Sequence, residues 1–397
     1  MSFDSTVLGK NLTCHVCGAK KLNLLTNYSS LLRVASDCVP WRSGGRLGIC
    51  AACNCVQNPV DSHWQNETTE IYSRYQIYRQ SAGSEQGVFS DGIKLVPRSA
   101  KIFPHITSFM DLEKTGRLLD IGCANGELLR YFSTLAPHWK MVGFEIDDKR
   151  REEVESIPGV EAFASGSLNK LTQPFDIITL MHVLEHLANP ILWLDELHRL
   201  LTPNGLVLIQ VPDPKLNPYN LLVADHCSHF TMQDLINIAQ QAGYQVLARS
   251  DQWVTREFSI LIKPLASGQA KRQTREPKAA LNPSEEVPAY PEKSLRWLHE
   301  VVDLVKTISK DKPRGIWGTA IAATWAYSIM NSEVDFFVDE DIHRIGQQHL
   351  GRPIYSPNSA PQDSHIFIAL TPEIAKNIFN RWSHLNVSFY LPPNLVY

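Results

Sequence analysis

The stretch "ADHCSHF" (Ala224 to Phe230) sets two histidines and an aspartate within five residues, just after the proline-bearing run "VPDPKLNPYN". A histidine, with an unperturbed pKa of about 6.5, can transfer protons, the more so when a carboxylate orients it. His226 is therefore either a candidate base, with Asp225 its candidate orienter, or a loop histidine that helps fold a turn. His229 reads as structural, because "HFTMQDL" makes Thr231 an N-cap with Asp234 at N3, a capping box with a shortened acid.

Two other sets of residues could do chemistry. Cys14 and Cys17 form one C-x-x-C and Cys50 and Cys53 a second, 32 residues further on. Thiolates two apart on a tight turn occupy two corners of a tetrahedron, and two such turns close a structural zinc site with no open position for a substrate. Cys55 competes poorly as a ligand, since "C-N-C" lacks the turn spacing, and Cys38 stands alone. The third set is "RLLDIGCANGELLRYF": an apolar strand, a glycine turn at Gly122 and Gly126, then a helix start that offers free N–H donors. The next strand, "KMVGFEID", carries Glu145, 25 residues after Asp120. An acid there accepts hydrogen bonds from ribose hydroxyls in dinucleotide folds, although the G-x-x-x-G spacing departs from G-x-G-x-x-G.

The elements that must hold these groups follow from length and pattern. A chain of 397 residues exceeds one ordinary core, and a hydrophobic fraction of 44% with 20% charge is that of a soluble globular protein. The net charge of −3 supplies no basic field for nucleic acid or an anionic membrane. The opening "MSFDSTVLGKNLTC" shows no signal-peptide core and no run of about 18 apolar residues follows, so the expectation is a cytoplasmic protein with no membrane partner.

"LLDIGCANG" resembles motif I of class I S-adenosylmethionine methyltransferases, D-x-G-x-G-x-G, with Ala124 at the middle glycine. "EAFASGSLNKL", "PFDIITLMHVLEHL", "PNGLVLIQVP" and the pair "YQVLARSD" and "REFSILIKP" fit later elements of that fold in order. The resemblance implies a Rossmann-like seven-stranded core over residues 95–265. It implies that Asp120, Gly122, Ala124 and Gly126 hold the amino-acid end of S-adenosylmethionine, that Glu145 takes the ribose, and that Ser167 and Leu168 border adenine. His182 would stand on the cofactor side. His182 and His186 are expected four apart on one helical face with Glu185 beside them. Metal ligation by that pair is the alternative to the favoured reading, a wall of the acceptor pocket.

Beyond the core, "SGQAKRQTREPKAALNPSEEVPAYPEK" (Ser267 to Lys293) reads as a linker, and "SLRWLHEVVDLVKTISK" as an amphipathic helix. "RGIWGTAIAATWAYSIM" followed by "VDFFVDED" has βαβ logic, with Asp339 at the end of its second strand and further strands at "HIFIAL" and "FYLPP". The whole is expected to be an α/β protein: a zinc-binding domain (1–62), a pocket-closing segment (63–94), the methyltransferase core (95–265), a linker (266–293) and a C-terminal Rossmann-like α/β domain (294–397).

That order resembles the sugar C-methyltransferase family acting on nucleotide-linked 4-keto deoxysugars, as do "CAACNCVQ", the tyrosine-rich "EIYSRYQIYRQSAGS" and the G-x-P-I-x-S-P run near Pro353. The resemblance implies carbon methylation through an enolate, with His226, Asp225, His186 and Tyr219 at the acceptor and Tyr72, Tyr75 and Tyr78 closing over it. Two departures stand out. The family's E-H-x-x-Y-F is D-H-C-S-H-F here, and its N-x-L-x-H is "HVLEH", the generic methyltransferase form. O- or N-methylation of another small molecule therefore stays open. An RNA methyltransferase and a non-catalytic cofactor-binding scaffold are weaker readings. The expected partner is a small molecule bound by a monomer or homodimer.

Overall fold

The computed structural model describes residues 6–8, 12–76, 87–90, 94–265 and 288–396. At its centre lies a seven-stranded sheet built from β1 (Arg117–Ile121), β2 (Lys140–Glu145), β3 (Val160–Ser165), β4 (Phe175–Met181), β5 (Leu201–Pro212), β6 (Tyr244–Ser250) and β7 (Glu257–Pro264). The spatial order is β3-β2-β1-β4-β5-β7-β6, with β1 to β5 parallel and β7 antiparallel to both its neighbours. Strands such as "LLDI" and "IITL" are apolar on both faces because helices cover both sides of the sheet. The direction in which successive strands are added reverses between the parallel β1 and β4, and that switch point opens a crevice at their carboxyl ends.

The sequence expectation of a helix through "HVLEHL" is corrected. Leu184–His186 forms only a short 3-10 turn, and the next α-helix begins at Pro190. His182 has φ of 56°, a left-handed conformation incompatible with continuing a helix. His182 and His186 thus share no helical face. Asp176, the second residue of β4, ties the strand ends: it accepts from the Arg117 amide and the Thr202 hydroxyl, both at 2.9 Å.

The N-terminal region forms its own sheet from Thr6–Leu8, Leu22–Leu25, Gly48–Cys50 and Val56–Gln57, joined at its edge by Ser228–His229 from the central region. A small hairpin, Arg33–Val34 with Pro40–Trp41, fills part of the interval between the cysteine pairs. Helix Ser62–Ser73 follows, capped by Asp61, whose carboxylate accepts from the amides of His63 and Trp64. Glu67 on that helix receives both guanidinium arms of buried Arg33 and the Trp41 indole. Removing one partner of such a buried pair costs about 3–5 kcal/mol.

At the C-terminal end, β8 (Arg314–Trp317), β9 (Phe336–Val338), β10 (Gln348–His349), β11 (Arg352–Tyr355), β12 (His365–Ile368) and β13 (Ser388–Tyr390) form a sheet ordered β10-β11-β9-β8-β12-β13. All its pairings are parallel except β10 with β11. Gly318 follows β8 at φ 101° and turns the chain into helix Ile321–Ile329. Asp339 after β9 accepts from Thr319 at 2.7 Å, and Arg344 donates to the same hydroxyl at 2.8 Å. The expected linker falls outside the described residues up to 287, and its last four residues, Tyr290 to Lys293, are the first turn of helix Tyr290–Lys306.

The terminal regions share one apolar core. Tyr28, Leu31 and Val34 pack with Leu298, Val301 and Trp325, and the Trp325 indole donates to the Leu32 carbonyl at 2.9 Å. Tyr219 belongs to this core: its ring meets Trp297 and Trp325 edge-on, 5.2 and 5.8 Å away. The expectation that Tyr219 faces an acceptor is therefore corrected, because the indoles take its ring. Its buried hydroxyl has no hydrogen-bond partner among the described residues. Since an unpaired buried hydroxyl costs about 1–3 kcal/mol, Tyr219→Phe should raise the urea midpoint. A drop of more than about 1 kcal/mol in unfolding free energy would mean the hydroxyl is bonded after all.

Candidate active site

At the carboxyl end of β1, Asp120 is buried and accepts from the Thr179 hydroxyl of β4 at 2.6 Å. The turn after it needs small residues. Gly122 has φ 73°, and a Cβ there would lie 2.4 Å from Val183 Cγ2; Gly126 has φ 83°, and its Cβ would meet Ile157 at 2.4 Å. Ala124, also left-handed at φ 52°, donates its amide to Glu145 Oε1 at 2.7 Å. The Ile146 amide reaches the other oxygen of Glu145, so this acid is held at the tip of β2 while burial raises its pKa. Ser167 caps the 3-10 turn Leu168–Lys170 just beyond β3. Asp120, the glycine turn, Glu145 and the β3 loop thus lie along one edge of the sheet, at the switch point.

Val183, which fills the space above Gly122, belongs to the segment that carries the histidines. His182 lies between two acids, with Nε2 2.9 Å from Glu257 and Nδ1 3.3 Å from Glu185. Burial opposes its protonation, but the Glu257 carboxylate outweighs that and raises its pKa to about 9. Glu257 in turn is held below the ordinary carboxylate range, against its burial, by Arg98 and His182. Among the described residues neither carboxylate oxygen of Glu185 has a hydrogen-bond partner, and the His182 imidazolium is its counter-charge.

Asp225 does not orient His226 as expected. Its carboxylate accepts from the Ser36 amide at 2.8 Å and from the Ser36 hydroxyl, and stands 3.4 Å from Nδ1 of His186. The Asp225 carbonyl is 3.1 Å from the same nitrogen, as is the Tyr72 hydroxyl. Two acceptors from one residue around Nδ1 favour a proton there and leave Nε2 of His186 basic. The ring of His226 stands edge-on to His186 at 4.6 Å and lines a small pocket with Asn220, Ser228 and Phe230. No side-chain hydrogen bond engages His226 among the described residues, and burial, then His186, His229 and His182, push its pKa well below 6.5. It is neutral at physiological pH and free to accept a proton.

The ring of His229 lies 6.1 Å from that of His226 and lines the same pocket. Burial lowers its pKa to about 3, and Thr231 and Asp234 form the reciprocal capping box expected of a helix start there. Tyr75 reaches the site through Ser36, 3.1 Å away; Tyr78 lies outside the described residues. Ser36, Glu257 and Arg98 were not signalled by sequence, since only the fold brings them to residues 182–225.

The four cysteines meet. Cys14 and Cys53 sulfurs are 3.7 Å apart and those of Cys17 and Cys50 3.6 Å, against edges of about 3.8 Å in a tetrahedron with zinc–sulfur bonds of about 2.3 Å. Hydrogen bonds from neighbouring thiols, that of Cys14 foremost, hold Cys17 and Cys50 below the usual thiol range. The quartet is a donor set that fits a closed metal site, and Cys55 stays outside it. Glu185, His186 and His226 also bring ligand atoms within 4.8 Å of one another. There, however, His182 already balances the acid, and Nδ1 of His186 is engaged by Tyr72 and Asp225.

Residues 97–249 match a family model described as a methyltransferase domain. The central unit is a methyltransferase domain. The chain is 31% identical over 116 residues to an uncharacterized methyltransferase of Schizosaccharomyces pombe, a match covering 26% of this chain and 42% of that relative. The chain thus spans less than half the length of that relative. Similar solved structures include an S-adenosylmethionine-dependent methyltransferase from Clostridium acetobutylicum, 13% identical, covering 50% of this chain and 98% of that one with a TM-score of 0.35. Another is an O-methyltransferase family 2 protein from Planctomyces limnophilus, 17% identical, covering 43% and 56% with a TM-score of 0.36. Among the described residues, no helix is long and apolar enough to cross a membrane.

The charge on His182 has a measurable consequence for the methyltransferase domain. Its pKa is raised on folding, so its contribution is complete below about pH 6.5 and is lost as pH rises through about 9. The unfolding free energy of the wild type should therefore fall relative to His182→Gln across that window, by up to about 3 kcal/mol. Urea titrations at a series of pH values that gave parallel curves would refute the assignment.

Proposed function

We propose that this protein is an S-adenosylmethionine-dependent methyltransferase acting on a small polar metabolite, and that its reaction is C-methylation of a nucleotide-linked 4-keto deoxysugar. The observation that carries the reading is the meeting of two sets at one sheet edge. Asp120, Gly122, Ala124, Gly126, Glu145, Ser167 and Leu168 form a cofactor-type cradle, and the His186–His226 pair follows directly from the segment seated on Gly122. When bound, S-adenosylmethionine supplies a methyl group already activated by its sulfonium. The chain has then to hold the acceptor in line and move one proton.

His226 takes that proton from the carbon beside the keto group. The carbon–hydrogen electron pair passes into an enolate, whose carbon is the nucleophile. His186, fixed by Asp225 and Tyr72, stands edge-on behind His226 and keeps its ring from turning away. Burial holds the pKa of His226 well below 6.5, which keeps the ring unprotonated at neutral pH while making it a weaker base than a free imidazole. His182 occupies the position where the sugar family has asparagine, and with the generic "HVLEH" it favours the second reading, O- or N-methylation of another small molecule. The net charge of −3 weighs against an RNA acceptor.

Mass spectrometry after incubation with S-adenosylmethionine and a panel of nucleotide-linked 4-keto deoxysugars should show a gain of one methyl on one panel member. NMR of that product separates carbon from oxygen methylation. His226→Ala should abolish the gain while leaving cofactor affinity within about twofold; unchanged turnover would remove His226 from the chemistry. Cofactor binding without transfer to any panel member would move the acceptor to another chemical class.

We also propose that Cys14, Cys17, Cys50 and Cys53 hold one structural zinc ion. Metal analysis of the purified chain should give one zinc per chain, and Cys53→Ser should lose it together with several kcal/mol of stability. A metal-free wild type of full stability would end this reading.

A further inference from the structure

The acceptor-side loop is not shaped by the domain that carries it. From Val223 to His229 its polar backbone is met by the N-terminal region. The Ala224 amide donates to the Val34 carbonyl at 2.9 Å, and the Trp64 indole reaches the Ala224 carbonyl at 3.2 Å. Ser36 takes the Asp225 carboxylate. The Asn58 side chain donates to the His226 carbonyl at 2.6 Å, while its own amide donates to Cys227 at 2.9 Å. Ser228 and His229 then pair antiparallel with Gln57 and Val56 as the fifth strand of the N-terminal sheet. The methyltransferase domain offers the loop backbone fewer partners: the Glu185 carbonyl, which accepts from the Cys227 amide at 2.8 Å, Nδ1 of His186, 3.1 Å from the Asp225 carbonyl, and the Asn220 carbonyl, which accepts from the Val223 amide at 3.2 Å.

The same few residues touch the cysteine quartet. Gln57 is fully buried; its side-chain NH2 donates to the Cys14 sulfur at 2.9 Å and its carbonyl accepts from the His15 amide at 3.1 Å. The His15 ring, on the first C-x-x-C turn, lies 2.7 Å from the Ser228 hydroxyl. The bond from Gln57 to Cys14 therefore ties the position of that sulfur to the strand pairing of the loop, since Gln57 is the residue paired with Ser228.

We infer that the four-cysteine domain is the template of the acceptor-side loop, and that Gln57 and Asn58 are positioning residues through which the state of the cysteine quartet sets the placement of His226. This rests on the reading of His226 as the base. It makes the N-terminal domain a device that controls transfer and leaves cofactor capture at Asp120 and Glu145 untouched. Disrupting the quartet, by chelation or by loss of a ligand, would then slow transfer in a chain that still binds S-adenosylmethionine.

The test uses the full chain with its metal content measured. Amide hydrogen exchange across residues 224–229, cofactor affinity, and kcat and KM are compared for the wild type, Asn58→Ala, Gln57→Leu and the chelator-treated wild type. Exchange at Ala224 and His229, whose amides face the N-terminal region, should quicken at least tenfold in all three altered forms, with kcat down at least tenfold and cofactor affinity within about twofold. Asn58→Ala should keep its metal, which separates loop placement from metal loss. Where Gln57→Leu does not fold, Gln57→Glu, which keeps the volume and loses the donor to Cys14, replaces it. Wild-type exchange and kcat in Asn58→Ala, or exchange at 224–229 unmoved by emptying the quartet, would overturn the inference. Exchange needs no turnover, so a chain that methylates no panel member still decides it.

Discussion

Asp225 is a fully buried carboxylate, and its satisfaction ties the molecule together. A buried charge without partners is far too costly to persist. Its partners come from separate stretches of chain: the amide and hydroxyl of Ser36 in the N-terminal region, and the ring of His186 after β4 in the methyltransferase domain. Each partner has further dependents, since Ser36 also meets Tyr75 and His186 also meets Tyr72. The N-terminal region therefore has to be docked before the acceptor side of the site exists. The shared core of Tyr28, Leu31, Leu298 and Trp325 supplies the apolar area for that docking.

The cofactor side has a different physical origin. It depends on one sheet edge and on glycines whose left-handed backbone and missing Cβ let Val183 and Ile157 close in. These are consequences of local sequence and of strand order, which is why "LLDIGCANG" and Glu145 could be recognised before any coordinates. The capping box of Thr231 and Asp234 was legible for the same reason, its partners being three residues apart. The cysteine quartet was legible because each pair is local, although the 32-residue gap between the pairs is not.

What sequence misassigned shares a cause. Adjacency suggests that Asp225 orients His226, but the chain turns at Ala224 and Asp225, and the carboxylate meets Ser36 and His186 instead. Helical spacing suggested that His182 and His186 stack, but the left-handed backbone at His182 breaks the period at its first residue. Tyr219 was placed at the acceptor on resemblance alone, and two tryptophans from 78 and 106 residues away claim its ring. In each case a long-range contact overrode a short-range pattern, and no window of the sequence contains both partners.

His182 shows how the two sides of the site are joined. Its strained backbone turns the chain sharply at the end of β4, so that Val183 falls on the cofactor turn while His186 reaches the acceptor loop. A left-handed residue other than glycine costs about 1 kcal/mol or more, and the side chain explains why histidine stands there. Its imidazolium is shared between Glu257 of β7 and Glu185 of the following turn, and it offsets a buried carboxylate that has no hydrogen-bond partner among the described residues. Glycine would relieve the backbone and strand Glu185; asparagine would accept the backbone and supply no charge. Arg98, 3.1 Å from Glu257, completes the set: two cations stand against two carboxylates, so the buried cluster that ties β4 to β7 and to the following turn is held without net charge.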